Sequence, residues 1–401
     1  MAIRRTASTI VVLVLCLALV SCEAFGGGGR GHGRVAGPRR PAGPRLPAGV
    51  GVEKAFIQTW TAACNYNGRV RIVVPLGVYK LSETVFQGPC KCQAPITFQV
   101  MGTLKAVADV SEYSGSGWIT FDGITGLILT GGGTFDGQGQ AVWKYNDCKE
   151  NPNCVHLPAA IYFSQMKDTI IRGINLVNSM GFHMHITNSY LFRAIGLHIT
   201  SPADSPNTDG MHISKSNLVR IVRNVIRTGD DCISIGQGAT NVNITKVTCG
   251  PGHGISVGSL GKLPNEMDVT GIIVRNCTLV GTTNGLRIKT YPAKTPSRAS
   301  GILFSNIVMN NVQNPIIIDQ GYHTRSTKPS LIKISDVNFE NIRGTSMSAV
   351  AVNLMCSSIN PCQNVRFNNV NLKHSRNLRL TSTCVNARVG YSGFQYPPPC
   401  R

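Results

Sequence analysis

IRGINL at 171–176, FRAIGL at 192–197, VRNVIR at 222–227, ITKVTC at 244–249, VRNCTL at 274–279, FSNIVM at 304–309, ISDVNF at 334–339 and FNNVNL at 367–372 are versions of one short phrase. Its third residue is Gly173, Ala194, Asn224, Lys246, Asn276, Asn306, Asp336 and Asn369, and successive gaps run 21, 30, 22, 30, 30, 30 and 33. Self-similarity at a period of 20–50 residues marks a repeat architecture. Each unit has room for two or three strands of three to five residues, with Asn, Asp or Gly at the corner. One such unit cannot bury its apolar face alone. The units must stack, each strand pairing with its equivalent about 4.8 Å away.

The architecture that fits is an all-β, right-handed parallel β-helix, a solenoid. A propeller needs four antiparallel strands per unit joined by hairpins, and Asn-Gly hairpin signals are nearly absent. Leucine-rich repeats need regularly spaced leucines, and Leu is sparse. Composition agrees: 43 Gly, 6% aromatic and only 14% charged residues in 401, against roughly 25% charged in an average domain. Upstream of the repeats, EKAFIQTWTAAC at 53–64 places Ala55, Phe56, Trp60 and Ala63 on one face at helical spacing. This predicts a short N-terminal helix capping the solenoid.

The first 50 residues read differently. Arg4 and Arg5 precede an apolar run from Ile10 to Val20, and small residues follow at Ser21 to Ala24. That is the pattern of a secretion signal over 1–24, too short to span a bilayer. Residues 25–50 are Gly, Pro and Arg with almost nothing to bury, and are expected to form a disordered leader. Residues 51–401 are then a single parallel β-helix catalytic domain.

Fourteen cysteines suit export, since disulfides persist in oxidising compartments. Two fall in the signal. Cys148/Cys154, Cys356/Cys362 and Cys384/Cys400 are close pairs able to clip loops. Cys90 and Cys92 lack a second ligand pair at zinc spacing, and no metal or other cofactor is expected. Asn243-Ile-Thr and Asn276-Cys-Thr are glycosylation acceptors where exposed. The net charge of +20 includes seven Arg against one Glu in residues 1–50, so +14 belongs to the rest. A basic surface suits a polyanion. For an exported chain that partner is an acidic polysaccharide rather than nucleic acid. No membrane attachment is expected after signal removal, and the protein is expected to be a monomer in the extracellular cell wall.

In a solenoid, residues one repeat apart lie one above another. Asp209 in SPNTDG, Asp230 and Asp231 in TGDDC, His253 in GPGHGIS, and Arg287 with Lys289 in GLRIKT are separated by 21, 23 and 34 residues, each close to one turn. Singly, each has an ordinary structural reading. Asp beside Gly is a common turn pair, a His between glycines is often a loop residue, and two cations on a strand are usually a solvated face. In phase, they place three carboxylates, an imidazole and two cations on one side of the cylinder. Asp230 and Asp231 are neighbours, so both reach one cleft only where the chain bends, which Gly229 is expected to permit.

These motifs, NTD, GDD, GHG and RIK, resemble in order and spacing those of the polygalacturonases, glycoside hydrolase family 28, over about residues 53–400. The phrases GPCK, FDGQGQAVW, SPNTDGMHI and GHGISVGSLG look closest to the plant pollen-type exopolygalacturonases. The resemblance implies inverting hydrolysis of α-1,4-galacturonosidic linkages in pectin. It implies that Asp230 is the proton donor, that Asp209 and Asp231 hold and deprotonate the attacking water, and that His253 tunes the acid or carries protons. It gives Arg287 and Lys289 the galacturonate carboxylate, with Asn207 and Tyr322 beside the sugar. A donor that stays protonated near neutrality needs a raised pKa, and neighbouring carboxylates push that way.

Exo action is expected over endo, because the insertion AVWKYNDCKENPNC at 141–154 is placed to wall off one end of the cleft. Two departures from the family pattern stand out. The usual opening strand is replaced by the Gly/Pro/Arg leader, and His323 follows Tyr322 where relatives commonly have Cys, leaving Cys277 without a partner. Two rival readings share the fold or the ligand: a calcium-dependent pectate lyase, and a wall protein that binds pectin without turnover. A lyase clusters its acids around calcium, whereas here they are spread over stacked turns with a histidine beside them.

Overall fold

Alternation decides the strands. In Arg69–Val74, Val70, Ile72 and Val74 are buried while their neighbours face out, as a pleated strand with one wet face requires. The computed structural model describes residues 11–14, 51–147, 154, 157–292, 296–322 and 328–400. Across them the strands pair in parallel with equivalents one turn away, in one sheet of 21 strands and another of 11. The chain is the expected right-handed parallel β-helix. The smaller sheet runs in chain order from Thr84–Gln87 to Thr381–Val385, each strand reached from the last by a crossover through the larger sheet, and it carries the candidate site.

The repeat is real, but the phrase alignment slides against the true register. Strand pairing stacks Gly173, Gly196, Arg223, Lys246, Asn276, Asn306, Asn341 and Asn369 at one corner, each just beyond a paired residue. All eight have φ between 49° and 63°. Three of the phrase's third residues fall outside this column. Ala194, Asn224 and Asp336 lie two, one and five residues from the corner. Asp336 belongs to a second left-handed column, shared with Leu191, Leu218 and Asn241. Asn tolerates this conformation best among residues with a side chain, which explains the Asn ladder at the first corner. Within it, Asn341 donates to Asn306 and Asn369 to Asn341.

Inside, aromatic residues stack along the register. Phe304, Phe339, Phe367 and Tyr391 lie face to face at centroid separations of 5.2, 4.9 and 5.7 Å. At the other end the predicted helix forms at Val52–Asn65. It buries Phe56, Trp60 and Ala63, with Trp60 packed on Phe86, Phe98 and Phe121. Ala55 is only half-buried. Beyond it, Val11–Val14 forms a strand paired in parallel with Arg69–Val74. This strand lies within the run read as a secretion signal. Removal of residues 1–24 would leave Arg69–Val74 as an open edge. The leader, 25–50, lies outside the described residues.

Between described residues, disulfides join Cys64–Cys90, Cys232–Cys249, Cys356–Cys362 and Cys384–Cys400. The two C-terminal clips are those read from spacing. Cys154 is disulfide-bonded, but Cys148 and His323 lie outside the described residues. Cys92 and Cys277 are free, as the family comparison implied for Cys277.

Candidate active site

Four neighbouring strands of the smaller sheet, Met211–Ser214, Ile233–Ile235, Ile255–Leu260 and Asn284–Thr290, bring the chemistry together. Met211 pairs with Ile233, and Ile233 with Ile255. Two residues ahead of these positions stand Asp209, Asp231 and His253. The in-phase carboxylate is therefore Asp231, with Asp230 one position out of line. The rung of Arg287 is Ser256, not His253. Spacing found the right turns and missed the register by a residue or more.

Asp230 and Asp231 lie on a bend between strands, so the two-face rule for strand neighbours does not apply. Gly229 is needed there for space rather than for a left-handed backbone: an added Cβ would stand 2.1 Å from Ser205 O. The Cys232–Cys249 bridge ties this bend to the loop leading into His253. In that loop Gly254 has φ +86°, and a Cβ there would meet Asn284 O at 2.1 Å.

The outcome is a cleft of about 560 Å³ whose lining includes Asn207, Asp209, Asp230, Asp231, Lys289 and Tyr322. His253 joins through its Nδ1, 2.9 Å from Asp230 Oδ1. Asp230 has 20% of its side chain exposed against 1% for Asp231, so it reaches the open cleft furthest. Arg287 is placed differently from expectation. Its Nη2 donates to Asp231 Oδ1 at 2.9 Å and its Nε to Ser256 Oγ at 3.0 Å. Lys289 Nζ donates to the other Asp231 oxygen at 2.8 Å. Both cations are buried and engaged with Asp231. Tyr322 lies over them, 5.0 Å from Lys289 Nζ and 5.7 Å from the guanidinium carbon.

The carboxyls are pushed apart electrostatically. Burial, together with the charges of Asp230 and Asp231, drives Asp209 well above the usual carboxylate range, against the bond from Ser234 and the Lys289 charge. Burial also pushes Asp230 up, but the His253 bond and the His253 and Lys289 charges outweigh it and hold it below that range. A raised pKa was expected on the donor, Asp230. In the free site it falls on Asp209 instead, because burial and two carboxylate charges dominate there, whereas Asp230 has the imidazole bonded beside it.

Asp230, Asp231 and His253 offer ligand atoms within 4.8 Å of one another, close enough for a metal ion. However, both Asp231 oxygens are bonded to cations, and His253 Nδ1 is bonded to Asp230. Lys289 and Arg287 would repel a divalent ion. The donor set fits protein cations better than a metal.

Sequence reasoning missed Asn146, Phe182, His212, Ser234, Lys262 and Tyr291, all in the lining. Asn207 Nδ2 meets Asn146 Oδ1 at 3.3 Å, so the described start of the 141–154 insertion does border the cleft. Lys262 is exposed, unlike the two buried cations.

The family model described as glycosyl hydrolases family 28 matches residues 64–393. An exopolygalacturonase from Platanus acerifolia is 44% identical over 351 residues, covering 86% of this chain and 93% of that protein. An exopolygalacturonase from Oenothera organensis is 42% identical over 353 residues, covering 86% and 97%. Among solved structures, a polygalacturonase from Erwinia carotovora superposes with a TM-score of 0.68 at 24% identity, covering 89% of this chain and 99% of that one. This last likeness speaks to the fold.

Proposed function

The chain belongs to the glycosyl hydrolases family 28, and from that membership we propose an inverting polygalacturonase that removes galacturonate from chain ends in pectin. The observation that carries the chemistry is one cleft holding three carboxylates in unlike environments. In one step, water gives a proton to Asp209 and its oxygen attacks the anomeric carbon from the far side. The glycosidic C–O bond breaks, and Asp230 protonates the departing oxygen. Asp231, fixed between Arg287 and Lys289, orients the water with Asp209. A base works best with a pKa near the working pH, so the raised Asp209 suits this part. Asp230 must regain its proton before each turnover, and His253 at 2.9 Å is the group placed to deliver it.

Exo action has two supports: the exopolygalacturonase relatives, and Asn146 bordering the cleft beside Asn207. The disulfides are consistent with extracellular action, and the cell wall is the compartment where this substrate lies. The enzyme acts as a monomer in this reading.

Purified protein incubated with polygalacturonate and EDTA tests the reaction. New reducing ends without 4,5-unsaturated absorbance are expected; unsaturated products would indicate a lyase, and neither signal a binder. Viscosity followed alongside should fall slowly per bond cut. A collapse in viscosity after few cuts would show a cleft open at both ends. Asp230→Asn should lower kcat by about 10²-fold, the usual scale for losing a general acid, with substrate binding retained. Near-normal turnover in that variant would remove Asp230 from the donor role.

A further inference from the structure

His185, His212, Ser234, Ser256 and Arg287 occupy one in-register row of the smaller sheet. Each of its two serines serves a different carboxylate. Ser234 Oγ donates to Asp209 Oδ2 at 2.6 Å, and Ser256 Oγ donates to Asp231 Oδ1 at 2.7 Å. What stands behind each serine differs. Arg287 Nε donates to Ser256 Oγ, and a guanidinium has donors only. Ser256 can therefore pass nothing but its own proton, always toward Asp231. Ser234 instead meets His212 Nδ1 at 2.8 Å. A neutral imidazole nitrogen donates in one tautomer and accepts in the other.

We propose that His212 and Ser234 form a reversible hydrogen-bond relay that positions Asp209 and lets it take up and release the proton of the attacking water. While Asp209 is a carboxylate, Ser234 donates to it and accepts from His212. Once Asp209 has taken the proton, its O–H donates to Ser234, and Ser234 turns to donate to His212. The second arrangement needs the other tautomer of His212, so the ring gives its Nδ1 proton to water and takes one back at Nε2 from the cleft it lines; the net gain of the site is the one proton transferred to Asp209. The imidazole must be neutral for it to work. Burial and the charges of His185 and Lys289 push His212 down to about 3, so it is neutral across the working range. Phe182 stacks on it at 5.0 Å and fixes the ring.

The other groups facing Asp209 do not duplicate this part. Asp230, Asp231 and Lys289 act on it through charge. His183 is fully buried and holds only its backbone, with Nδ1 3.2 Å from Asp209 O and Nε2 2.9 Å from Ser201 Oγ. Both His212 and Ser234 act through Asp209, which makes them positioning residues.

The inference rests on the reading of Asp209 as general base, so Asp209→Asn is measured alongside; full turnover there would sink that reading itself. Granted an inactive Asp209→Asn, Ser234→Ala is expected to lower kcat roughly 10-fold with KM within about twofold. Because the lost bond favoured the charged carboxylate, the acidic limb of kcat should move to higher pH. His212→Phe keeps the stack on Phe182 but removes both nitrogens, and should move the limb the same way. His212→Gln, whose amide can donate or accept, should recover much of the loss. Combining Ser234→Ala with His212→Phe should cost no more than Ser234→Ala alone. Unchanged kcat and limb in either folded variant, additive losses, or a lower kcat with an unmoved limb would each overturn the relay. If Ser234→Ala does not fold, His212→Phe against His212→Gln decides the matter alone.

Discussion

Lys289 Nζ lies 2.8 Å from Asp231 Oδ2, and less than a tenth of either side chain is exposed. The pair joins residues 58 positions apart in the chain and closes the floor of the cleft, with Arg287 on the other oxygen. The family resemblance assigned both cations to the substrate carboxylate. In the free site both are buried and bonded to Asp231, and Lys289 alone of the two also lines the cleft.

Arg287→Ala should therefore act first on stability. Removing one partner of a buried ion pair costs about 3–5 kcal/mol, and Asp231 would retain Lys289, which places the expected loss near the lower end. Thermal or denaturant unfolding measures it directly, and kcat should fall as Asp231 loses its orientation. A variant as stable as the parent, with only KM raised, would return Arg287 to the substrate.

Lys262 is the exposed cation of the cleft lining, which makes it the residue on which to test charge recognition. Lys262→Ala should raise KM for polygalacturonate about 10-fold, the scale of one hydrogen bond to a charged group, with kcat little changed. Fully methyl-esterified polymer should be a poor substrate for the parent and show little further loss in the variant. Equal KM values for both proteins on the free acid would count against Lys262.

The raised Asp209 has a consequence for stability with a definite sign. Its folded pKa lies above the unfolded value of 3.8, so between those two points the folded state binds more protons. Unfolding free energy then falls as pH rises through that window. Asp209→Asn, neutral at every pH and still able to accept from Ser234, should escape this cost. Its Tm should exceed that of the parent at pH 7 by a few degrees and approach it near pH 4, while turnover is lost. Asp230, held below its usual range, contributes in the opposite sense and only at lower pH, as its carboxylate is protonated. Parallel melting curves with a constant offset would refute the Asp209 assignment.

The solenoid could be read from sequence because apolar alternation and a recurring corner survive in one dimension. Its register could not. Apolar residues recur every second position, so a phrase slides by two, as at Ala194, without losing its pattern. The left-handed corner that fixes the rung is equally satisfied by Gly196, Arg223 or Asn341. The site divides likewise. Asp209, Asp230, Asp231 and His253 stand in phrases distinctive enough to find. Ser234 and His212 are ordinary strand residues whose meaning appears only when adjacent rungs place them 2.8 Å apart. Lys262 sits in a loop with no spacing to give it away.

The two glycosylation acceptors differ in a way only the fold reveals. Asn243 sits in the middle of Thr240–Thr245, between flanking strands on both sides. Its Oδ1 is buried without a partner, and Thr245 is only 9% exposed. Asn276 stands at the left-handed corner with φ 56°, is exposed, and follows the end of a strand. Its side chain takes no part in the Asn306–Asn341–Asn369 ladder directly beside it, so the amide is free for attachment. For protein exported through a secretory pathway, Asn276 is expected to carry a glycan and Asn243 to remain bare. Peptide mapping by mass spectrometry, before and after enzymatic removal of the glycan, distinguishes them. The buried Cys277 inside the Asn276-Cys-Thr acceptor makes no disulfide, so no crosslink withdraws the tripeptide from the transferase before folding. A glycan found on Asn243, or an unmodified Asn276 in the exported protein, would show that corner exposure does not decide occupancy here.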